Sequence, residues 1–176
     1  MNSANKTSVT LIGMPACGKS TVGVLLAKAM NLRFIDTDLL IQQKHKKFLW
    51  QIIEAQGLEA FKAREAEVIL SLGREDACIA TGGSAVYSDA AMRHLKAISR
   101  IVFLDLPCAE IERRIADIKS RGVVIEKGKT LPALYDERRP LYLQYADIVI
   151  GAQGKGVEAL VEEIIAGIFN HPRTNP

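Results

Sequence analysis

An eight-residue segment near the amino terminus constrains the fold of this chain more than any other feature. It reads Gly13-Met14-Pro15-Ala16-Cys17-Gly18-Lys19-Ser20 and matches the pattern G-x-x-x-x-G-K-S/T at every fixed position. The apolar run 9–12 precedes it and predicts a buried strand, while residues 20–30 carry apolar side chains at helical spacing. In the order strand, glycine-rich loop and helix, this pattern strongly predicts a loop that binds nucleotide phosphates.

Each fixed residue of the loop has a physical task. Gly13 and Gly18 permit backbone angles that a side chain would obstruct, so that backbone N–H groups can turn toward phosphate oxygens. The helix that begins near Gly18 adds the positive end of its dipole. Lys19 can neutralise the β- and γ-phosphates, and the Ser20 hydroxyl can bind a magnesium ion. We assign nucleotide binding to Gly13, Ala16, Cys17, Gly18, Lys19, Ser20 and Thr21.

Beyond the loop, short apolar runs alternate with helical patterns. Further strands are predicted at 32–35, 78–80, 101–105 and 146–150. Further helices are predicted at 39–72 with a break near Gly57, 88–95, 107–118, 134–144 and 157–169. Such alternation implies a parallel sheet covered on both faces. We therefore predict an α/β fold, a three-layer α/β/α sandwich with a five-stranded parallel sheet, as one domain over 1–176.

Two segments fall outside this alternation. Residues 119–131 are basic, contain two glycines and predict a mobile loop, and residues 170–176 predict a disordered tail. Pro140 lies inside the helix predicted over 134–144, where it is expected to kink or split the helix.

Composition narrows the class of protein. Apolar residues make up 48% and charged residues 24% of the chain, which is typical of a soluble globular protein. No apolar run approaches the roughly 20 residues that span a bilayer, and residues 1–8 lack the apolar core of a signal peptide. The net charge of +3 is too small to imply nucleic-acid binding. We predict a cytoplasmic monomer that binds neither nucleic acid nor membrane.

An acidic pair ends the second predicted strand. Asp36 and Asp38 are spaced i and i+2, and both can lie near the carboxyl edge of the sheet, where ligands bind in such folds. One carboxylate can support the magnesium ion, and the other can accept a proton from an attacking hydroxyl. The alternative is that Asp38 only caps the helix that follows.

A single charge interrupts an apolar helical stripe. Positions 58, 61, 65, 68 and 72 share one face, and Glu65 is its only charged member. A buried carboxylate needs a partner, which Lys62 could supply at helical spacing. Arg64 or a distant arginine could also do so. The alternative is that Glu65 lies in solvent at the rim of the stripe.

Taken together, these segments resemble the shikimate kinase family. The resemblance runs from Ser8 to about Phe169. It is carried by 13–21, by 34–38, by Gly57 with Phe61 and Glu65, by 81–83 and by 137–142. It implies a nucleoside-monophosphate-kinase-like fold with an acceptor-binding segment over 39–72 and a lid over 119–131. It also implies a kinase of amino-acid biosynthesis that uses ATP and Mg²⁺ to convert shikimate to shikimate 3-phosphate.

The resemblance also implies roles for individual acceptor-site residues. Asp38 is implied to hold the acceptor hydroxyls and to act as the base, and Gly82 and Gly83 to approach the acceptor through their backbone. Arg138 is implied to bind the acceptor carboxylate. The residue at position 62, which is Lys62 in this chain, is also implied to bind the acceptor carboxylate. Glu65 is implied to hold the side chain at position 62 in place.

On the nucleotide side, the resemblance implies that Ser20 and Asp36 hold the metal. Arg121 resembles the lid arginine that reaches the transferring phosphate. Arg114 and Gln153, the latter within 152–155, fall where the family contacts adenine.

Three positions depart from the family pattern. Lys62 replaces an arginine in the family's F-R-x-x-E pattern, Ser84 replaces the third glycine of G-G-G, and 121–124 replace the lid pattern R-P-L-L. Lysine is a point charge and does not offer the planar fork of an arginine. Since all three departures affect the acceptor side or the lid, another small hydroxy acid or amino-acid alcohol, such as homoserine or gluconate, stays open as the acceptor.

Two further hypotheses come from other classes. A nucleotide-dependent switch of the GTPase type would need a guanine-reading N-K-x-D segment, which this chain lacks. A nucleoside monophosphate kinase would need several arginines for a second phosphate ester, and 39–72 offers only Arg64.

Overall fold

Five short strands form one parallel sheet in the computed structural model, which describes residues 8–74, 76–117 and 128–170. The strands are β1 (Val9–Ile12), β2 (Arg33–Asp36), β3 (Ala77–Ala80), β4 (Arg100–Asp105) and β5 (Ile148–Gly151). Their order is β2-β3-β1-β4-β5, and every neighbouring pair is parallel. All side chains of β1 and β3 are buried, because a parallel sheet is covered on both faces. The predicted α/β fold with a five-stranded parallel sheet is confirmed.

The helices that cover the sheet follow the predicted order. They are α1 (Lys19–Met30), α2 (Thr37–His45), α3 (Leu49–Leu70), α4 (Asp89–Ile98), α5 (Cys108–Asp117), α6 (Leu131–Tyr145) and α7 (Val157–Asn170). Helix α1 packs against α7 and β3, α3 packs against α2 and α4, and α5 packs against α6. Within the described ranges, no helix combines the length and the apolar character that crossing a membrane would require.

The segment predicted as one interrupted helix over 39–72 consists of the two helices α2 and α3, and α3 is itself kinked at Gly57. Gly57 has φ 83° and ψ 166°, so the predicted break at this residue is confirmed. A second break follows α2, where Lys46 takes the left-handed conformation at φ 50°. Between α2 and α3 lies a small apolar cluster formed by Ile41, Ile52, Phe61 and Val68. This cluster packs α3 against α2.

Helix α6 begins earlier than predicted. The Thr130 hydroxyl accepts a hydrogen bond from the Ala133 N–H and caps the helix, so Leu131 belongs to α6 and not to the predicted loop. The helix continues through Pro140 without splitting. Most of the predicted lid over 119–131 and most of the predicted tail over 170–176 lie outside the described residues.

The carboxyl ends of three adjacent strands lie side by side at one edge of the sheet. Residues 13–18 follow β1, Thr37 and Asp38 follow β2, and the turn 81–84 follows β3. Parallel strands bring these segments together although they are distant in sequence. The candidate site lies at this edge.

Candidate active site

The glycine-rich loop after β1 has the backbone that the motif demands. Gly13 and Gly18 have φ values of 145° and 105°, and Ala16 is one of the few non-glycine residues with positive φ, at 61°. A side chain on Gly13 would also lie 2.8 Å from the Leu104 carbonyl oxygen. The buried Cys17 packs its sulfur 3.0 Å from the same point, which supports a steric role for this cysteine. The loop is therefore closely packed, and its glycines are sterically required.

Lys19 is the first residue of α1 and is only 8% exposed. Its Nζ donates hydrogen bonds to the carbonyl oxygens of Gly13 and Met14, each at 2.8 Å. The ammonium group is therefore held across the loop. Its charge lies where the motif places the β- and γ-phosphates of a nucleotide.

Ser20 and Asp36 form a pair of oxygen donors beside the loop. The Ser20 hydroxyl donates to Asp36 Oδ2 at 2.7 Å. The other oxygen of Asp36 accepts from the N–H groups of Asp38 and Leu39 and caps α2. The capping alternative for Asp38 is thus wrong, because α2 begins at Thr37 and Asp38 already lies in its first turn.

These oxygens suit magnesium, which prefers hard oxygen ligands and retains several waters. Among the residues that the structure describes, no group of three or more His, Cys, Asp or Glu side chains could hold a metal ion by itself. The two oxygens of Ser20 and Asp36 fit a magnesium ion that takes its other ligands from phosphates and water.

Asp38 points toward the turn after β3. Its Oδ1 is buried and accepts no hydrogen bond within the described residues. Burial raises the pKa of Asp38 to about 6, with a further contribution from the charge of Asp36, while Lys19 opposes the shift. The carboxyl group can thus accept a proton more readily than an exposed aspartate.

Glu65 is buried, with 1% exposure, so the alternative that places it at a solvent rim is wrong. Its partner is the Ser84 hydroxyl, which donates to Oε2 at 2.5 Å. Burial raises the pKa of Glu65 to about 7, while the Ser84 hydrogen bond and the charge of Arg138 oppose the shift.

The predicted partners of Glu65 contact other residues. Lys62 pairs with Glu59 at 2.7 Å, and Arg64 donates to Gln56 at 2.8 Å. Helical spacing identified neighbours along α3, whereas the buried face of α3 points at the turn after β3. Lys62 bonds to Glu59 and Glu65 to Ser84, and that Glu65 holds the side chain at position 62 stays a prediction.

Gly82 and Gly83 lie where the acidic and basic side chains converge. A Cβ atom on Gly82 would lie 2.7 Å from Asp38 Oδ1 and would collide with Glu65 Oε1. A Cβ on Gly83 would lie 3.1 Å from Arg138 Nη1 and 2.9 Å from Pro15 Cδ. Five predicted acceptor-site residues are thus brought together around this turn: Asp38, Glu65, Gly82, Gly83 and Arg138.

Arg138 enters the site from α6 and is 4% exposed. Its Nε donates to the Tyr87 hydroxyl at 3.1 Å, and its Cζ lies 5.1 Å from the centre of the Tyr87 ring. Lys62 Nζ lies 4.6 Å from the same ring centre. Sequence reasoning missed Tyr87, since a single tyrosine in the 3₁₀ turn Ala85–Tyr87 carries no motif.

A cavity of about 460 Å³ joins the phosphate loop to the acceptor-side residues. The predicted residues that line it are Ala16, Gly18, Lys19, Ser20, Thr21, Asp38, Gly82, Gly83, Arg114 and Arg138. Leu49, Ile53 and Leu58 of α3 supply an apolar wall that the sequence analysis did not assign. The cavity can therefore hold a phosphate donor and a small polar acceptor together.

The two residues predicted to contact adenine are not brought into one cavity. Arg114 donates to the Ala16 carbonyl oxygen at 3.4 Å and lines the cavity of the phosphate loop. Gln153 lines a second cavity of about 540 Å³, together with Asp105 and Arg139. Arg121, the predicted lid arginine, lies outside the described residues.

Comparison with known proteins gives a consistent result. The family model described as shikimate kinase matches residues 15–169. A shikimate kinase of Clostridium botulinum (strain Eklund 17B / Type B) is 36% identical over 169 residues, which cover 94% of this chain and 99% of that protein. A shikimate kinase of Francisella tularensis subsp. novicida is 34% identical over 161 residues, which cover 89% and 92% of the two chains.

Solved structures show the same likeness. The shikimate kinase of Acinetobacter baumannii, in complex with shikimate, superposes with a TM-score of 0.85 at 27% identity and covers 93% of each chain. The shikimate kinase of Aquifex aeolicus has a TM-score of 0.80 at 32% identity and covers 93% of this chain and 96% of its own. A gluconokinase of Sinorhizobium meliloti, at a TM-score of 0.55 and 17% identity, covers 94% and 93% and shares the fold alone.

Proposed function

Because the chain belongs to the shikimate kinase family, we propose that it transfers the γ-phosphoryl group of ATP to the 3-hydroxyl group of shikimate. It is an ATP-dependent kinase that acts on a hydroxyl group of a small molecule. The family match favours shikimate over the homoserine and gluconate alternatives. One observation carries the proposal at the site: Lys19, Asp38 and Arg138 line the same cavity.

Nucleotide binding is the task of the loop after β1. Its backbone N–H groups and the amino-terminal end of α1 attract phosphate oxygens, and Lys19 adds a fixed positive charge. Ser20 and Asp36 would hold magnesium, which screens the phosphate charge when it is bound with ATP. Phosphoryl transfer depends mainly on positioning and on charge stabilisation, and this part of the site supplies both.

Asp38 is the base in this proposal. Asp38 lines the cavity, and its Oδ1 lies close to the Gly82 backbone because Gly82 has no side chain. Asp38 would accept the hydroxyl proton as the oxygen attacks the γ-phosphorus. Glu65 Oε1 lies beside the same point of Gly82 but is buried, and Glu65 does not line the cavity, so a direct contact of Glu65 with the acceptor stays a prediction.

Arg138 and Lys62 would bind the acceptor carboxylate. Arg138 is buried at the cavity, and its guanidinium can form two parallel hydrogen bonds with a carboxylate. Lys62 Nζ lies 4.6 Å from the centre of the Tyr87 ring, which Arg138 also contacts, and Lys62 would contribute a point charge. An acceptor with hydroxyl groups at one end and a carboxylate at the other suits this arrangement.

A coupled ADP-release assay with shikimate, homoserine and gluconate tests the proposal. We expect kcat/KM for shikimate of about 10⁴ M⁻¹s⁻¹ or more, with the other two acceptors far below it. Undetectable phosphorylation of shikimate by protein that still binds ATP would contradict the proposal. The roles of Arg121 and Gln153, the single-domain organisation over 1–176, the monomeric state and the cytoplasmic location stay predictions.

A further inference from the structure

We propose that Tyr87 is a positioning residue for acceptor specificity, because it holds Lys62 of α3 and Arg138 of α6 against one aromatic ring. This inference rests on the proposed function, in which these two cations bind the acceptor carboxylate. It concerns a residue outside the motifs that identify the fold.

The aromatic ring of Tyr87 makes the first set of contacts. Lys62 Nζ lies 4.6 Å and Arg138 Cζ 5.1 Å from its centre. Both distances are within the roughly 6 Å at which a cation is attracted by the face of an aromatic ring. Lysine has a flexible four-carbon stem and a compact charge. The ring and Glu59, at 2.7 Å, together restrict where this charge can go.

The hydroxyl group makes the second set of contacts. It accepts a hydrogen bond from Arg138 Nε at 3.1 Å and donates one to Glu137 Oε1 at 2.6 Å. Glu137 Oε2 in turn accepts from Lys129 at 2.8 Å. Because Nε of Arg138 is bound to Tyr87, the guanidinium group turns toward Gly83. Its Nη1 lies 3.1 Å from the point that a Cβ atom on Gly83 would occupy.

The backbone keeps the ring in place. Tyr87 ends the 3₁₀ turn Ala85–Tyr87, and its N–H donates to the Ser84 carbonyl oxygen at 3.0 Å. Two cations that lie near the same ring repel each other, and the attraction of the ring for each of them lowers the cost of bringing them together. Tyr87 thereby compensates for the lysine at position 62, which lacks the planar guanidinium group of an arginine.

The test compares Tyr87→Leu, which removes the ring, with Tyr87→Phe, which removes only the hydroxyl. Tyr145→Phe is the matched control, because its hydroxyl donates to Asp89 at 2.9 Å away from the cavity. For each protein, kcat and KM are measured for shikimate, for its uncharged methyl ester and for ATP, and thermal unfolding is recorded.

We expect Tyr87→Leu to raise the KM for shikimate about tenfold and Tyr87→Phe about threefold, given the usual strength of a cation–π contact and of one hydrogen bond. The KM for ATP and the kinetics of the methyl ester should change less than twofold. Tyr145→Phe should match the wild type. The effect of Lys62→Ala on the KM for shikimate should be smaller in Tyr87→Leu than in wild type, because the charge is already displaced.

An unchanged KM for shikimate in both variants would overturn the inference. A rise that affects shikimate, its ester and ATP equally would also overturn it, since that pattern indicates a structural role only. If Tyr87→Leu does not fold, Tyr87→Phe and its comparison with Tyr145→Phe decide the question. Absence of shikimate turnover in the wild type would overturn the proposed function and this inference together, whereas normal wild-type turnover with insensitive variants overturns this inference alone.

Discussion

Ser84 donates its hydroxyl hydrogen to Oε2 of Glu65 at 2.5 Å, across the interface between the turn after β3 and the buried face of α3. Both side chains are buried, so the bond is shielded from water. The shikimate kinase family has a glycine at the position of Ser84, and a glycine cannot donate this bond. The hydroxyl therefore gives this chain its own means of stabilising a buried carboxylate.

Ser84→Ala should destabilise the fold most strongly where Glu65 is ionised. A hydrogen bond to a charged group contributes about 1.5–3 kcal/mol, compared with about 0.5–1.5 kcal/mol for a neutral one. Ser71→Ala is the matched control, because the Ser71 hydroxyl donates to the neutral Val68 carbonyl oxygen at 2.7 Å. Urea unfolding at pH 8 should show a larger loss of unfolding free energy for Ser84→Ala than for Ser71→Ala. Equal losses at pH 8 would contradict a charge-assisted bond.

Glu65→Gln should change the dependence of stability on pH. Burial raises the pKa of Glu65 from 4.5 to about 7, so the native state binds this proton more tightly than the unfolded chain does. Wild-type stability should therefore fall by up to about 3 kcal/mol as the pH rises from about 4.5 to about 7. Glutamine has nearly the same shape and does not titrate, so this fall should be absent in the variant.

The measurement for Glu65→Gln is the difference in Tm between variant and wild type across this pH range. Other titrating groups are shared by the two proteins and largely cancel in the difference. We expect the difference to shift in favour of the variant by roughly 5–10 °C between pH 4.5 and 7.5. A difference that does not vary with pH would show that the pKa of Glu65 is not raised by burial.

Asp38→Asn should reduce kcat by roughly 10²-fold or more, because the amide cannot accept the hydroxyl proton. The affinity for ATP should change little. Asp36→Asn is the informative comparison, since it alters the oxygen pair with Ser20 and should weaken the binding of ATP in the presence of magnesium. Loss of ATP binding in Asp38→Asn instead would assign the metal to Asp38 and contradict the division of roles between the two aspartates.

Lys62→Arg should lower the KM for shikimate or leave it unchanged, because a guanidinium can bind a carboxylate through two hydrogen bonds. The ring of Tyr87 can accommodate an arginine as readily as a lysine. Steady-state kinetics with shikimate and homoserine, for wild type and variant, provide the measurement. A marked rise in the KM for shikimate would indicate that the site is shaped around lysine and would favour a smaller acceptor.

The phosphate loop and the positions of the strands along the chain could be predicted from the sequence because both depend on local information. The residues of the loop are contiguous, and its chemistry resides in glycine backbone angles and in one lysine. Strands of a parallel sheet that is buried on both faces are continuous apolar runs, and β1 and β4 are such runs. Asp36 ends β2 as predicted, whereas Asp38, which was predicted to share that place, lies in the first turn of α2.

The partners of the buried charges were decided by tertiary structure alone. Helical spacing predicted Lys62 as the partner of Glu65, but the Lys62 ammonium group pairs with Glu59 and lies against the Tyr87 ring. The buried face of α3 points at another element, so Glu65 meets a hydroxyl 19 positions further along the chain. Arg138 meets Tyr87 across 51 positions for the same reason. Spacing in sequence determines which residues share a face of one helix, whereas only the packing of that face against its neighbours determines which polar groups can satisfy one another.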